Sequence, residues 1–146
     1  MSPQLLGLAV GGLLPALFYG ISSVFAKTSA NAGMSVGGHL FCIGIAISAM
    51  GVVFNGFLPG ASPSLSAIAS SSMQGFFWAL GTGCFVLGIL KYQAPLAKLV
   101  PIYNMNTLVT VGLALVIFAE WKTTNPIQLL FGAVLIILGG IIVSGA

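Results

Sequence analysis

Four hydrogen-bonding side chains recur at helical spacing within an otherwise apolar stretch of the sequence. They are Tyr103, Asn106, Thr107 and Thr110. Positions i, i+3, i+4 and i+7 fall on one face of an α-helix. Their amide and hydroxyl groups can donate and accept hydrogen bonds, and the ring of Tyr103 can stack on a flat or cyclic solute. This face suits non-covalent binding along a solute pathway, or hydrogen bonding that holds neighbouring membrane helices together.

Two aromatic residues in other apolar runs complete the candidate substrate-binding set. Tyr19 lies in the first run and Trp78 in the third. Trp78 can form a cavity wall or anchor its helix at the membrane interface. A sugar or similar neutral solute suits such a site better than a cation, because no carboxylate lies deep in an apolar run. Aromatic faces could nevertheless hold a weak cation.

Catalytic and metal chemistry have little support in this sequence. The one histidine, His39, and the one acid, Glu120, are far apart, and neither Cys42 nor Cys84 has a partner at ligand spacing. A lone histidine without such partners is rarely a metal site. We therefore predict no catalytic residue, no metal, no cofactor and no enzymatic activity. Four isolated lysines form no patch for nucleic acid, so no nucleic-acid partner is expected.

The composition predicts an all-α membrane protein with lipid as its surroundings. Only 3% of residues are charged, whereas 58% are hydrophobic. A soluble domain carries about a quarter charged residues, so this chain cannot cover a water-facing surface. In a bilayer, apolar side chains face lipid and the backbone is satisfied within helices.

Five apolar runs are long enough to cross the bilayer, which takes about 20 residues. They form a single membrane domain over residues 1–146, with predicted helices at about residues 5–26, 36–58, 73–90, 95–118 and 126–145. The serine-rich segment Ala61–Ser72 is interpreted as a loop, with room for a short interfacial helix.

Two prolines fall inside predicted helices. Pro15 cannot donate a hydrogen bond to the carbonyl of Gly11, nor Pro101 to that of Ala97. Each should kink its helix and release a backbone acceptor. Such kinks suit a cavity and a rocking motion, and a passive kink held in place by neighbouring helices is equally consistent with the sequence.

The last two runs resemble the C-terminal part of an EamA-type repeat, which defines the drug/metabolite transporter superfamily. The resemblance rests on Ala94–Pro101, the long helix up to Glu120, and Gln128, Gly132 and Gly139–Gly140 that follow. The opening segment Leu14–Gly20, followed by Lys27, is similar to the first helix of the repeat. The segment from Gly51 to Ser72 matches nothing specific.

The resemblance implies one half of a ten-helix inverted-repeat transporter. The chain would move a small polar metabolite by alternating access, as an antiparallel homodimer or a heterodimer with a related half-size chain. A multi-pass position in the cell membrane, the inner membrane of a bacterium or archaeon, is expected. An alternative is a structural or accessory membrane subunit of a larger complex.

The lysines do not fix the orientation in the membrane. Lys27, Lys91 and Lys98 flank loops on one side, and Lys122 lies on the other. The positive-inside rule places the first three in the cytoplasm and the N-terminus outside, whereas the family pattern places the N-terminus inside. This weak bias is compatible with both orientations, and therefore with an antiparallel pair.

Overall fold

The computed structural model describes residues 3–145, with side chains from residue 5 onward. Within that range the structure is helical and contains no strand. Five helices are long and apolar enough to cross a membrane, and these spans are Leu5–Asn31, Val36–Phe57, Leu65–Leu90, Leu96–Ile117 and Pro126–Gly145. The prediction of an all-α fold with five transmembrane helices is confirmed. Because these five helices have the length and the composition of membrane spans, the chain is a multi-pass membrane protein.

The chain divides into two compact units, Met1–Gln93 and Ala94–Ala146. The first unit contains α1 (Pro3–Leu8), a π-helical segment (Ala9–Leu13), α2 (Leu14–Asn31), α3 (Val36–Phe57) and α4 (Leu65–Leu90). The second contains α5 (Leu96–Tyr103), α6 (Asn106–Ile117), a 3-10 turn (Glu120–Lys122) and α7 (Pro126–Gly145). Each unit is described by itself.

The first span changes its helical type around Pro15. The segment Ala9–Leu13 is π-helical, and the amide of Leu14 donates to the carbonyl of Ala9 across five residues. The proline ring clashes with the carbonyl four residues earlier in a regular α-helix. A wider turn just before Pro15 relieves that clash, and such π-bulges often accompany functional sites.

The helices of the first unit pack against each other at one end. This packed end comprises residues 23–30 of α2, 36–43 of α3 and 79–90 of α4, and α4 contacts both other helices there. Its buried residues are Ser23, Ala26, Ala30, His39, Val86 and Ile89. Gly83 of α4 faces α3, since a Cβ at that position would be in ordinary van der Waals contact with Leu40, 3.6 Å from its Cδ1.

The other end of the first unit is open. Within residues 5–22 and 44–78 no described side chain is buried, and only Ala9 and Pro15 are partly covered. The three spans therefore share a sealed junction near the loop at residues 32–35 and present uncovered faces toward the opposite end.

The second unit is held together by α7 packing against α5 and α6. Gly140 is buried where these helices meet. A Cβ added there would lie 3.3 Å from Met105 Sδ and 3.8 Å from the carbonyl oxygen of Pro101. In membranes, small residues permit this close approach of helices and strengthen van der Waals packing.

The fourth span is broken in the middle. α5 ends at Tyr103, and α6 begins at Asn106 after a turn at Asn104–Met105. The sequence predicts one kinked helix over residues 95–118, whereas the structure has two helices joined by this turn. Pro101, which lacks an N–H and constrains the backbone, lies within the last turn of α5.

Two other helix boundaries differ from the sequence estimates. α2 continues to Asn31 rather than ending at Ala26, and α4 begins at Leu65 rather than at Met73. The serine-rich segment is thus largely helical, because the hydroxyl of Ser64 caps α4 by accepting from the amide of Ala67. The second and fifth helices lie within one residue of the predicted bounds.

Gly140 and its neighbour Gly139 provide a test of this packing. We expect Gly140→Leu to lower the stability of the protein by about 1–3 kcal/mol, because the side chain would overpack against Met105 and Pro101. Gly139→Leu is the matched control, since a Cβ at Gly139 meets nothing within 4 Å. Thermal unfolding of the purified protein in detergent measures both. Equal melting temperatures for the two variants would contradict the packing described here.

Candidate functional site

The predicted hydrogen-bonding stripe lies on an exposed side of α6. The side chains of Asn106, Thr107 and Thr110 are all exposed. The partly buried side chains of the same helix form a different face, consisting of Leu108, Val111, Ala114 and Leu115. Within the second unit, the stripe therefore lies beside the packed face of α6 and remains exposed.

These three side chains have no hydrogen-bond partner among residues 5–145. Hydrocarbon offers none either, and an amide or hydroxyl left without a partner in an apolar medium is costly. Threonine hydroxyls in a helix can donate to the carbonyl four residues earlier, so it is the amide of Asn106 that makes the stripe require water, a solute or another protein surface beside it. That requirement makes it the best-supported candidate site in the second unit.

Tyr103 lies next to the stripe along the chain. It is the last residue of α5, with 36% of its surface exposed, and the turn at Asn104–Met105 separates it from α6. Both turn residues keep right-handed helical backbone angles, so the chain continues in the same sense from Tyr103 into α6. The face shared by all four residues stays a prediction, whereas Asn106, Thr107 and Thr110 lie on one helix.

The turn itself changes the hydrogen bonding of the backbone. The amide of Met105 donates to Ile102 at 3.1 Å and that of Thr107 to Asn104 at 3.1 Å, each across three residues. Discontinuous helices of this kind form the binding sites of many secondary transporters, because their freed backbone groups can contact the solute.

Tyr19 and Trp78 both lie in the first unit, just beyond the packed end. Tyr19 precedes the buried Ser23 by one helical turn, and Trp78 precedes the half-buried Thr82 by one turn. Each therefore continues the packed face of its helix into the open end. Their exposed fractions, 63% and 44%, leave both rings available to a ligand.

Ser23 also modifies the backbone next to Tyr19. Its hydroxyl donates to the carbonyl of Tyr19 at 2.9 Å. Back-bonding of this type tends to bend a helix. With Pro15 and the π-helical segment one turn earlier, it gives the first span an irregular middle.

Sequence reasoning missed a buried polar side chain of the first unit. His39 is only 7% exposed, and its Nδ1 lies 3.0 Å from Ser29 Oγ. Its Nε2 is buried and has no hydrogen-bond partner among the described residues. From the sequence, His39 was considered only as a metal ligand, a role for which it lacks partners. The signal that could have indicated its contact with Ser29 is their separation of ten residues across a short loop.

None of the six predicted residues lines either of two cavities found in the first unit. One of about 270 Å³ is lined by Ala30, Asn31, Ile89, Leu90 and Gln93, and a shallower apolar one follows the first span at Leu5–Leu13. Among the described residues, no group of three or more His, Cys, Asp or Glu side chains could hold a metal ion.

No protein-family model, curated protein or solved structure matches the chain. The resemblance to an EamA-type repeat consequently stays a prediction, and functional assignment depends on the arrangement of the residues themselves.

Cysteine substitution distinguishes a water-accessible stripe from a lipid-facing one. We expect Thr110→Cys, in a chain whose Cys42 and Cys84 are replaced by Ser, to react with a charged methanethiosulfonate reagent in proteoliposomes. Gly112→Cys is the control, because Gly112 is also exposed, an added Cβ there meets nothing within 4 Å, and it lies about 160° around the helix from Thr110. Its reaction should be at least several-fold slower, since thiols in hydrocarbon stay protonated and out of reach of the reagent. Equal rates at the two positions would remove the basis for a solute pathway.

Proposed function

We propose that the chain is a subunit of a carrier that moves a small, neutral, hydroxyl-rich solute, such as a sugar, across a membrane. The observation that carries this proposal is the exposed stripe of Asn106, Thr107 and Thr110 on a broken transmembrane helix. Polar groups within transmembrane segments are costly, and they usually face a cavity, a pathway or another protein group.

The chemistry of the stripe favours a neutral solute. An amide and two hydroxyls match the donors and acceptors of a polyol, and the ring of Tyr103, in the same unit, could stack on its apolar face. In the first unit, the exposed rings of Tyr19 and Trp78 offer the same kind of stacking surface. The only acid, Glu120, belongs to the exposed 3-10 turn after the fourth span. A cation would lack a carboxylate within the spans, so it is the less favoured solute.

The backbone supports a carrier that rocks between two states. The first span contains a π-helical segment, and the fourth contains a two-residue turn between α5 and α6. Broken helices concentrate bending at a few residues, and in known transporter architectures they lie at the solute site. We propose that these two interruptions allow alternating access.

A second chain completes the proposed carrier. Five spans place the two termini on opposite sides of the membrane, so a cavity with pseudo-two-fold symmetry needs one inverted partner. The described residues include very few buried apolar side chains, namely Ala26, Ala30, Val86 and Ile89. Large helix faces are thus available to lipid and to an antiparallel copy of this chain, or to a related half-size chain.

The same uncovered faces favour a second candidate function, a structural or accessory subunit of a larger membrane complex. Such a subunit would use the stripe to hydrogen-bond a partner helix. The two functions differ in one measurable respect, because only a carrier moves solute when the purified protein alone is reconstituted into liposomes.

Asn106 tests the proposed solute site. We expect sugars that bind to raise the melting temperature of the purified protein through linkage. Asn106→Leu should weaken that binding about three- to tenfold, the effect of losing one or two neutral hydrogen bonds. A screen over sugars, amino acids and amphiphilic cations identifies the solute, and uptake into proteoliposomes measures its transport.

The matched control is Asn55→Leu, the same change at an exposed residue near the end of α3. It should leave both binding and uptake within twofold of the unmodified protein. If both variants lost uptake equally, or if no solute were bound or moved by the unmodified protein, the accessory-subunit function would be preferred.

Orientation labelling tests the antiparallel pair. Asn31 and Thr124 are exposed and lie next to loops on opposite sides of the predicted topology. Single cysteines at these positions should each be labelled in about half of the molecules by an impermeant reagent added to intact cells. One position fully labelled and the other fully protected would exclude the antiparallel homodimer and leave a heterodimer.

A further inference from the structure

The packed end of the first unit is built around one buried imidazole. His39 lies in the first turns of α3, where its ring is more than nine-tenths buried. The other buried residues of the packed end are apolar except Ser23. One ring nitrogen, Nδ1, pairs with Ser29 Oγ at 3.0 Å, which joins α3 to α2 across the loop at residues 32–35.

The second ring nitrogen is not satisfied in either neutral tautomer. If Nδ1 accepts from the Ser29 hydroxyl, Nε2 carries a hydrogen without an acceptor; if Nδ1 donates, Nε2 is a lone pair without a donor. Buried polar groups without a partner are rare and require an explanation. A binding site for a proton is one such explanation, because a lone pair at Nε2 is where an imidazole takes up a proton.

The described residues of the first unit offer no carboxylate as a counter-charge for a protonated ring. On α2, Lys27 is half-buried two residues before Ser29. On α4, Cys84 is exposed and Lys91 follows the end of the helix, where its Nζ lies over the Tyr92 ring. On α3 itself, Cys42 is exposed. No carboxylate occurs in the sequence before Glu120, and the nearby charges that do occur are positive.

We propose that His39 is a proton-binding site whose occupancy opens the packed end of the first unit. The neutral ring fits the sealed junction with one hydrogen bond. The protonated ring has two N–H donors and a positive charge, and its Nε2 donor finds an acceptor only when water or another group enters between the helices.

The packing around the ring makes such an opening feasible. The buried residues of α2 are small, namely Ser23, Ala26 and Ala30, and those of α4 are Val86 and Ile89. Between membrane helices, apolar side chains can move from helix contacts into lipid without losing a hydrophobic driving force. Protonation adds a positive charge to the buried ring, and burying that charge without a partner costs enough to change the ratio of open to closed molecules by roughly tenfold. This inference goes beyond the proposed carrier function, since it concerns the junction itself and needs no solute.

Cysteine labelling at Ala30 measures the opening directly. The full-length protein with Cys42 and Cys84 replaced by Ser carries one probe, either Ala30→Cys at a buried position or Asn31→Cys at its exposed neighbour. The ratio of the two labelling rates with a maleimide is measured at about pH 8 and about pH 5.5, on either side of the range in which histidines change charge. We expect the ratio to rise roughly tenfold at the lower pH.

The same pair of probes in a His39→Gln background separates the ring from other titrating groups. Glutamine keeps a neutral polar side chain, so the ratio should change less than twofold between the two pH values. A ratio that stays constant with His39 present would overturn the proposal. So would an equal rise in the His39→Gln protein, because another group would then control the junction.

A measurement without a His39 variant covers the case in which His39→Gln does not fold. His39 is the only histidine of the chain, so ¹⁵N-histidine in the untagged full-length protein reports this ring alone by NMR. The ring should take up its proton over the same pH range in which Ala30→Cys becomes reactive. Protonation without any change in labelling, or labelling that changes while the ring stays neutral, would contradict the proposal.

Discussion

The absence of hydrogen-bonding partners in hydrocarbon governs this structure. Regular helices satisfy their own backbone, which is why nearly all of the described chain is helical and why large apolar side chains remain exposed. Side chains such as Asn106 and His39 cannot be satisfied in that way. Their positions, on an uncovered face and inside a sealed junction, are therefore the places where the fold needs something other than lipid.

The two helix-interior prolines show how backbone chemistry creates irregularity within such helices. Each lacks an N–H and crowds the carbonyl four residues earlier. Before Pro15 the backbone widens into a π-helical segment that contains Gly11 and Gly12. After Pro101 it tightens into three-residue hydrogen bonds, and the break packs against Gly140 of α7. The same missing donor thus produces two different interruptions, in the two spans that carry Tyr19 and Tyr103.

The side chains of the first unit are packed at one end only, which bears on how its irregular helices can move. The first unit is sealed at one end by small side chains and by the ring of His39, and it is open at the other. The proposed solute groups Tyr19 and Trp78 continue the packed faces into the open end. A sealed junction with few buried side chains is one that a modest free energy can separate, which connects the proposed proton site with a proposed movement of the helices.

The sequence by itself determined the class of the protein. Its low charge and five apolar runs required a helical membrane protein, because length and hydropathy alone decide whether a segment can cross a bilayer. The exposed polar face formed by Asn106, Thr107 and Thr110 also followed from helical periodicity. The turn between Tyr103 and Asn106 did not follow from the sequence. The helical segment Leu65–Ser72 did not follow either, because an N-cap at Ser64 extended α4 through a segment of loop-like composition. Only the tertiary structure decided that His39 is buried with one nitrogen unpaired, since burial depends on which helix faces meet, and periodicity within one helix carries no information about its neighbours.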